Sequence, residues 1–234
     1  MADDSIADVA LKGLEQRAAE YRVLYKYQRI TEYALDALRN RYLYFSSFKQ
    51  LNDPFDPFIT LIASEVGGLT AAISEKGPKI FCVTEDPNNP LMWAHYANAG
   101  ASMCVGYAVF TGGLRLFNPV RYVANFVGRL NALDFLMLKS SHWQWELEWR
   151  ACIPGPDHVY HDLAHPISVC LGPRCSTEDM RRVKAVLPAT VRDFEIVFPT
   201  IKDAVPHYAT YDVDAIVAHY GGIPTLEDLF GVKP

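Results

Sequence analysis

The sequence predicts one α+β domain: mixed, mostly antiparallel sheets with short flanking helices. Three observations predict it. Short runs rich in β-branched and aromatic residues, among them RVLYKYQ, KIFCVTE, SMCVGYAV and EIVFPTI, recur along the chain and read as strands. Between them the apolar spacing turns helical only over short stretches, as in TEDMRRVKAVL. No internal repeat, linker or low-complexity tract divides the 234 residues, a length that suits a single domain with a substantial core.

Each element follows from local chemistry. Residues 3–20 read as an amphipathic helix: Asp3, Asp4 and Ser5 offer capping oxygens, and Ile6, Val9, Ala10, Leu14 and Ala18 fall at helical spacing. This N-terminal helix (1–21) is expected to pack on the domain proper (22–211), with 212–234 a C-terminal tail. RVLYKYQ is a strand, and Thr31 then caps a second helix with Ala34, Leu35 and Leu38 on one face. LYFSS (43–47) is a strand and LNDPFDP (51–57) a loop, because its prolines and Asx residues pre-set bends. EVGGLTAAIS is a weak helix, KIFCVTE (79–85) a buried strand, and PLMWAHYANAG a short helix begun by Pro90 and ended by Gly100. SMCVGYAV (102–109) is a strand and LRLFNPVRYV one or two more; 125–145 reads as helical, leading into the strand EWRACI. PISVCLG (166–172), TEDMRRVKAVL (177–187) and EIVFPTI (195–201) alternate strand, helix, strand.

Composition narrows the function. Half the residues are hydrophobic and 21% charged, which is globular and not disordered composition. A formal charge of -5 without a basic cluster gives no electrostatic footprint for nucleic acid. Cys82, Cys104, Cys152, Cys170 and Cys175 form no CxxC pair and are odd in number, so neither a zinc site nor a disulfide framework is indicated. Reduced thiols and an acidic start, MADDSIADVA, without a basic and apolar leader fit a cytoplasmic protein. No apolar run approaches the roughly 20 residues that span a bilayer, so no membrane association is expected.

Four clusters carry more polar and aromatic chemistry than patterning needs. LYKYQR places Lys26, Tyr27 and Arg29 on an early strand, where a basic surface strand is the plain alternative. SSFKQLNDPFD holds Ser46, Asn52, Asp53 and Asp56; it reads as an Asx turn, or as carboxylates that clamp a ribose or a metal. Two carboxylates three apart are too few for a calcium loop. MWAHYA carries Trp93, His95 and Tyr96 on a helix, with His95 projecting away from the Trp93 face. KSSHWQWELEWRAC sets Glu146 and Glu148 among three indoles. Burying a carboxylate is costly unless it is paired, so either Arg150 or Lys139 pairs with one glutamate, or a carboxylate does chemistry there. The two glutamates share a face if a strand already begins near Glu146, and point apart if the helix persists.

Taken in order, LYKY, YFSSFKQLNDPFD, IFCVTEDPNNPLMWAHYA, GYAV, VRY and WELEWR resemble the bacterial domain-of-unknown-function family numbered twenty-nine seventy-one. The resemblance covers about residues 22–202. This chain departs from it by reading CVTE where Ser often follows the Cys strand, and ANAGASM where a basic residue or His often precedes the glycine. More loosely, the layout looks like the ADP-ribosyltransferase fold, which implies an NAD-consuming glycosyltransferase, a toxin or phage-defence effector. That resemblance implies NAD as substrate without a metal. The early strand would hold the nicotinamide end, with Lys26 and Arg29 facing pyrophosphate and Tyr27 or Trp93 stacking. Ser46, Asn52, Asp53, His95 and Tyr96 complete the nucleotide-binding set. Glu148 is the preferred catalytic carboxylate, with Glu146 beside it paired to a cation. The acceptor is an unspecified macromolecule, and an immunity or operon partner would fit such a role. Two other classes stay open: a metal-dependent hydrolase or nuclease using Asp53, Asp56, His95 and a glutamate, and a non-catalytic nucleotide-binding module.

Overall fold

Along KIFCVT, Phe81 and Val83 point into one core while Ile80 and Cys82 face the opposite side, the period of two that a strand covered on both faces requires. This strand, β4 (Lys79–Thr84), is central to the computed structural model, which describes residues 21–47, 50–53, 56, 78–125, 136–202, 205–225 and 228–229. Before it come β1 (Tyr21–Gln28), α1 (Glu32–Asn40), β2 (Tyr42–Tyr44) and β3 (Ser46–Ser47). After it run α2 (Pro90–Tyr96), β5 (Met103–Phe110), α3 (Thr111–Leu114), β6 (Phe117–Pro119), β7 (Arg121–Val123) and β8 (Leu138–Ser140). A 3-10 helix (Ser141–Glu146) leads into β9 (Glu148–Ile153), followed by β10 (Val159–His161), β11 (His165–Leu171) and α4 (Thr177–Lys184). The described chain closes with β12 (Asp193–Lys202), β13 (Val205–Asp212) and α5 (Val213–Tyr220).

The fold is α+β. Nine strands form one mostly antiparallel sheet in the order β13-β12-β11-β5-β1-β4-β9-β6, with β3 added beside β4. Its parallel pair, β11 and β12, is joined through α4, the crossover that parallel neighbours demand. Two small sheets, β10 with β2 and β7 with β8, stand apart. One face of the main sheet meets Leu35 and Leu38 of α1, Met180 and Val183 of α4 and Val213 of α5 in the largest core. Side-chain caps start these helices: Thr31 Oγ1 accepts from Ala34 N at 3.2 Å, Ser176 Oγ from Asp179 N at 3.0 Å, and Asp212 Oδ1 from Ala215 N at 2.8 Å. On the other face, Met92 and Trp93 of α2 and Trp145 of the 3-10 helix pack against Tyr27, Cys104 and Val197.

Several elements differ from the sequence expectation. The helices expected over 3–20 and in EVGGLTAAIS lie outside the described residues. LYFSS is two strands, because Phe45 turns into the core and β2 and β3 pair with different partners. Of the helix expected over 125–145, the described part from 136 onward is instead β8 and the 3-10 helix. The helix from Pro90 ends at Tyr96; Asn98, Ala99 and Gly100 follow in left-handed conformation with φ of 51°, 54° and 82°. β1 stops at Gln28, so Arg29 sits beyond the strand. β13 lies in a stretch for which no strand was expected, and the tail opens with α5.

Close backbone approach fixes one joint beneath α2. A Cβ on Gly172 would stand 2.2 Å from the Gly100 carbonyl oxygen, which accepts a hydrogen bond from Arg174 N at 2.9 Å. Gly172→Ala is expected to lower Tm by roughly 2–12 °C through overpacking against rigid backbone, as thermal unfolding will report.

Candidate functional site

The main sheet splits between β1 and β4. β1 pairs with β5 along its whole length but with β4 only at Tyr25 and Thr84, while β3 takes the far end of the same β4 edge at Ile80 and Lys79. Between these contacts the Cys82 carbonyl meets no strand amide from β1; Lys26 Nζ donates to it at 3.1 Å instead. The split opens into a cavity of about 190 Å³. Tyr25, Lys26 and Tyr27 of β1, Ser46 of β3, Asn52, Asp56, Cys82 and Tyr96 line it, and Lys139, Glu146 and Glu148 complete the wall.

The glutamates reach it by a local device. The 3-10 helix ends at Glu146, Leu147 takes a left-handed conformation at φ 46° and turns outward, and β9 starts at Glu148. The single left-handed residue lets both carboxylates return to the same ammonium. Lys139 Nζ donates to Glu146 Oε2 and, at 2.9 Å, to Glu148 Oε2. Neighbouring backbone is pinned as well. Thr84 Oγ1 donates to the Glu146 carbonyl at 2.6 Å, Asn89 Nδ2 to the Trp145 carbonyl at 2.7 Å, and Glu148 N to Tyr122 Oη at 2.8 Å.

Behind Glu148 stands Arg150, 1% exposed. Its Nε and Nη2 donate to Glu148 at 2.8 and 3.1 Å, and its Nη1 and Nη2 to the two oxygens of Asp56 at 2.9 Å each. Nη1 also donates to the Leu136 carbonyl at 3.0 Å. All of the guanidinium's N–H groups are thereby satisfied, as a buried Arg requires. Both cations named in the sequence analysis therefore pair here, Lys139 with two glutamates and Arg150 with Glu148.

These surroundings separate the two carboxyls. Burial pushes Glu148 up, but the Arg150 guanidinium and Lys139 ammonium outweigh it and hold its pKa down to about 2. Burial raises Glu146 above the usual carboxylate range despite Lys139, with Glu148 pushing the same way. Tyr96, which donates to Glu146 Oε1, is itself raised by burial and by that carboxylate. Lys26 is lowered by burial, against the pull of Cys82 and Glu148. Glu148 is thus held toward its anion and Glu146 toward its protonated form. Neighbouring carboxyls pushed apart in this way occur at acid–base sites and in structural ion-pair networks alike.

Of the residues singled out in the sequence, Lys26, Tyr27, Ser46, Asn52, Tyr96, Glu146 and Glu148 converge on the cavity. Arg29, Asp53, Trp93 and His95 do not line it. Trp93 is buried in a separate core against Tyr27, with ring centroids 4.9 Å apart, so it cannot stack on a ligand there. Tyr27 itself is held by its hydroxyl, which donates to the Asp86 carbonyl at 3.0 Å. Arg29 is exposed past the strand end, and Asp53 is buried with its carbonyl accepting from Asp56 N at 3.1 Å. His95 is exposed and faces Trp145, ring centroids 5.4 Å apart. Asp56 lines the cavity but gives both oxygens to Arg150, so Asp53, Asp56 and His95 do not assemble as a ligand set. Among the described residues no group of three or more metal-capable side chains gathers. Sequence reasoning missed Cys82, hidden in an apolar run, and Tyr122, whose place beside Glu148 depends on the small β7–β8 sheet.

The fold and cavity define an α+β protein with a charged pocket at a split in its sheet. Compared with known proteins, the chain matches no family model, no curated protein and no solved structure. No helix among the described residues is long and apolar enough to cross a membrane.

Proposed function

We propose that the cavity holds the nicotinamide-ribose end of NAD and that the protein is an ADP-ribosyltransferase-like enzyme. It would pass ADP-ribose to a macromolecular acceptor in a toxin or defence role. The observation that carries this reading is convergence: Lys26 and Tyr27 of an early strand and Glu146 and Glu148 at the entry to a late one line the same hollow. The fold family proposed from the sequence has that arrangement.

The chemistry follows from the charges. The bond between ribose C1′ and the nicotinamide ring nitrogen breaks, its electron pair leaving with nicotinamide, and positive charge develops on the sugar. Glu148, anionic at any working pH, stabilises that charge through space. The acceptor's lone pair then bonds C1′, and the proton it sheds passes to Glu146, whose raised pKa suits a base. Lys26 makes no ion pair among the described residues, and beyond its bond to the Cys82 carbonyl it keeps N–H groups that can donate to substrate phosphate.

Incubation with NAD is expected to release nicotinamide, label an acceptor and raise Tm. Silence across protein, DNA and RNA acceptors, with no NAD-induced Tm rise, would overturn the reading. One observation favours a second reading, a non-catalytic nucleotide-binding module: Glu148 spends both oxygens on Arg150 and Lys139. A Tm rise with NAD but no nicotinamide release would select it.

A further inference from the structure

A pocket of about 190 Å³ falls short of the roughly 300 Å³ and upward that drug-sized ligands occupy, so most of a dinucleotide must lie outside it. Next to the pocket, α2 and the 3-10 helix present three rings to solvent: His95, exposed, and Trp143 and Trp145, partly exposed. Trp143 and Trp145 lie 5.8 Å apart at 39°, and His95 lies 5.4 Å from Trp145 at 31°. The group joins the pocket through shared residues. Lys139, on the pocket wall, has its ammonium 5.0 Å from the Trp143 ring centre, and Tyr96, also on the wall, neighbours His95.

We infer that His95, Trp143 and Trp145 form a stacking platform for a purine base, the adenine end of the substrate proposed above; the inference rests on that reading. Ring spacing decides the mode of binding. Sandwiching a base between two rings takes about 7 Å or more at ordinary contact distances, and these rings are closer, so the base lies on their outer face. Charge selects the ligand class. The protein carries a net charge of -5 with no basic cluster, which disfavours a polyanion, whereas Lys26 on the pocket wall, which makes no ion pair among the described residues, supplies a cation for one phosphate group. A mononucleotide or dinucleotide fits; a nucleic-acid strand does not.

Titration of the full chain with AMP, followed by tryptophan fluorescence, tests the platform without any nicotinamide chemistry. AMP is expected to quench the parent, and Trp143→Ala, Trp145→Ala and His95→Ala each to weaken AMP on the order of 10-fold. KM for NAD should rise by a similar factor with kcat little changed, and affinity for nicotinamide mononucleotide should hold. His95 is exposed, so its variant keeps the test decisive if an indole variant misfolds. AMP binding that is absent in the parent or unaltered in the variants overturns the inference, as does quenching by a single-stranded oligonucleotide but not by AMP. If AMP binds as expected while NAD is never turned over, the enzyme reading alone fails.

Discussion

Arg150→Met is expected to destabilise the protein by about 3–5 kcal/mol, the cost of removing one partner from a buried ion group, and so to lower Tm by roughly 6–20 °C. The substitution keeps most of the volume but leaves Asp56 and Glu148 facing each other without the guanidinium that satisfies both. Lys at this position restores the charge without the fork that serves two carboxylates, so Arg150→Lys should recover only part of the loss. The dependence on pH is specific. In the parent, Glu148 has a folded-state pKa of about 2, below its unfolded value. Its stabilisation is therefore complete above the ordinary carboxylate range near 4.3 and is lost as pH falls from there toward 2. In the variant the stranded carboxyls are relieved by protonation. The Tm difference between the two proteins should then shrink between pH 7 and pH 4; an equal gap at both would mean that the lost charges are not the cause.

The second large effect is on turnover. Glu146→Gln is expected to reduce NAD-dependent transfer to the acceptor, and the nicotinamide release coupled to it, by about 10²–10⁴-fold, the range for loss of a positioned base, with KM near the parent value. Because burial raises Glu146 and a base works only when unprotonated, parent activity should climb with pH along a limb displaced above the ordinary carboxylate range. That limb should vanish in the variant. Glu148→Gln should also abolish release, but at a visible cost in Tm, because it breaks contacts to Arg150 and Lys139 together. Glu146→Gln should be milder on stability, since the amide oxygen still accepts from Tyr96 and Lys139 keeps Glu148. Activity retained in both variants would remove these carboxylates from the chemistry.

The strands and capped helices of the centre were legible in the sequence because local chemistry determines them. β4, β5 and β9 carry unbroken apolar or alternating runs, and Thr31 caps α1 as its hydroxyl allows. Illegible were features decided by distant partners. The stretch before β9 has helical spacing, but β8 forms by pairing Leu138–Ser140 with Arg121–Val123, and no local signal announces that. β13 contains Pro206 and His207 and, among the described residues, lies at the end of the sheet order, a place where proline is tolerated. At the site, residue types pointed correctly to an acidic pair near Lys139 and Arg150. What sequence could not give was the left-handed Leu147 that aims both acids at one lysine. Nor could it distinguish Trp93, sealed in a core, from Trp143 and Trp145 beside the solvent.

A sheet joined across its middle by one residue pair has a mechanical seam. Among the described residues, Tyr25 and Thr84 are the one ladder contact between the half that carries β5, β11, β12 and β13 and the half that carries β9 and β6. Bending along that line would break few ladder hydrogen bonds; what resists it is the core shared by both halves, where Leu24 and Val105 pack with Phe81, Val83 and Ala151. Whatever enters the hollow grips both sides of the seam at once, and its arrival would stiffen the molecule as a whole.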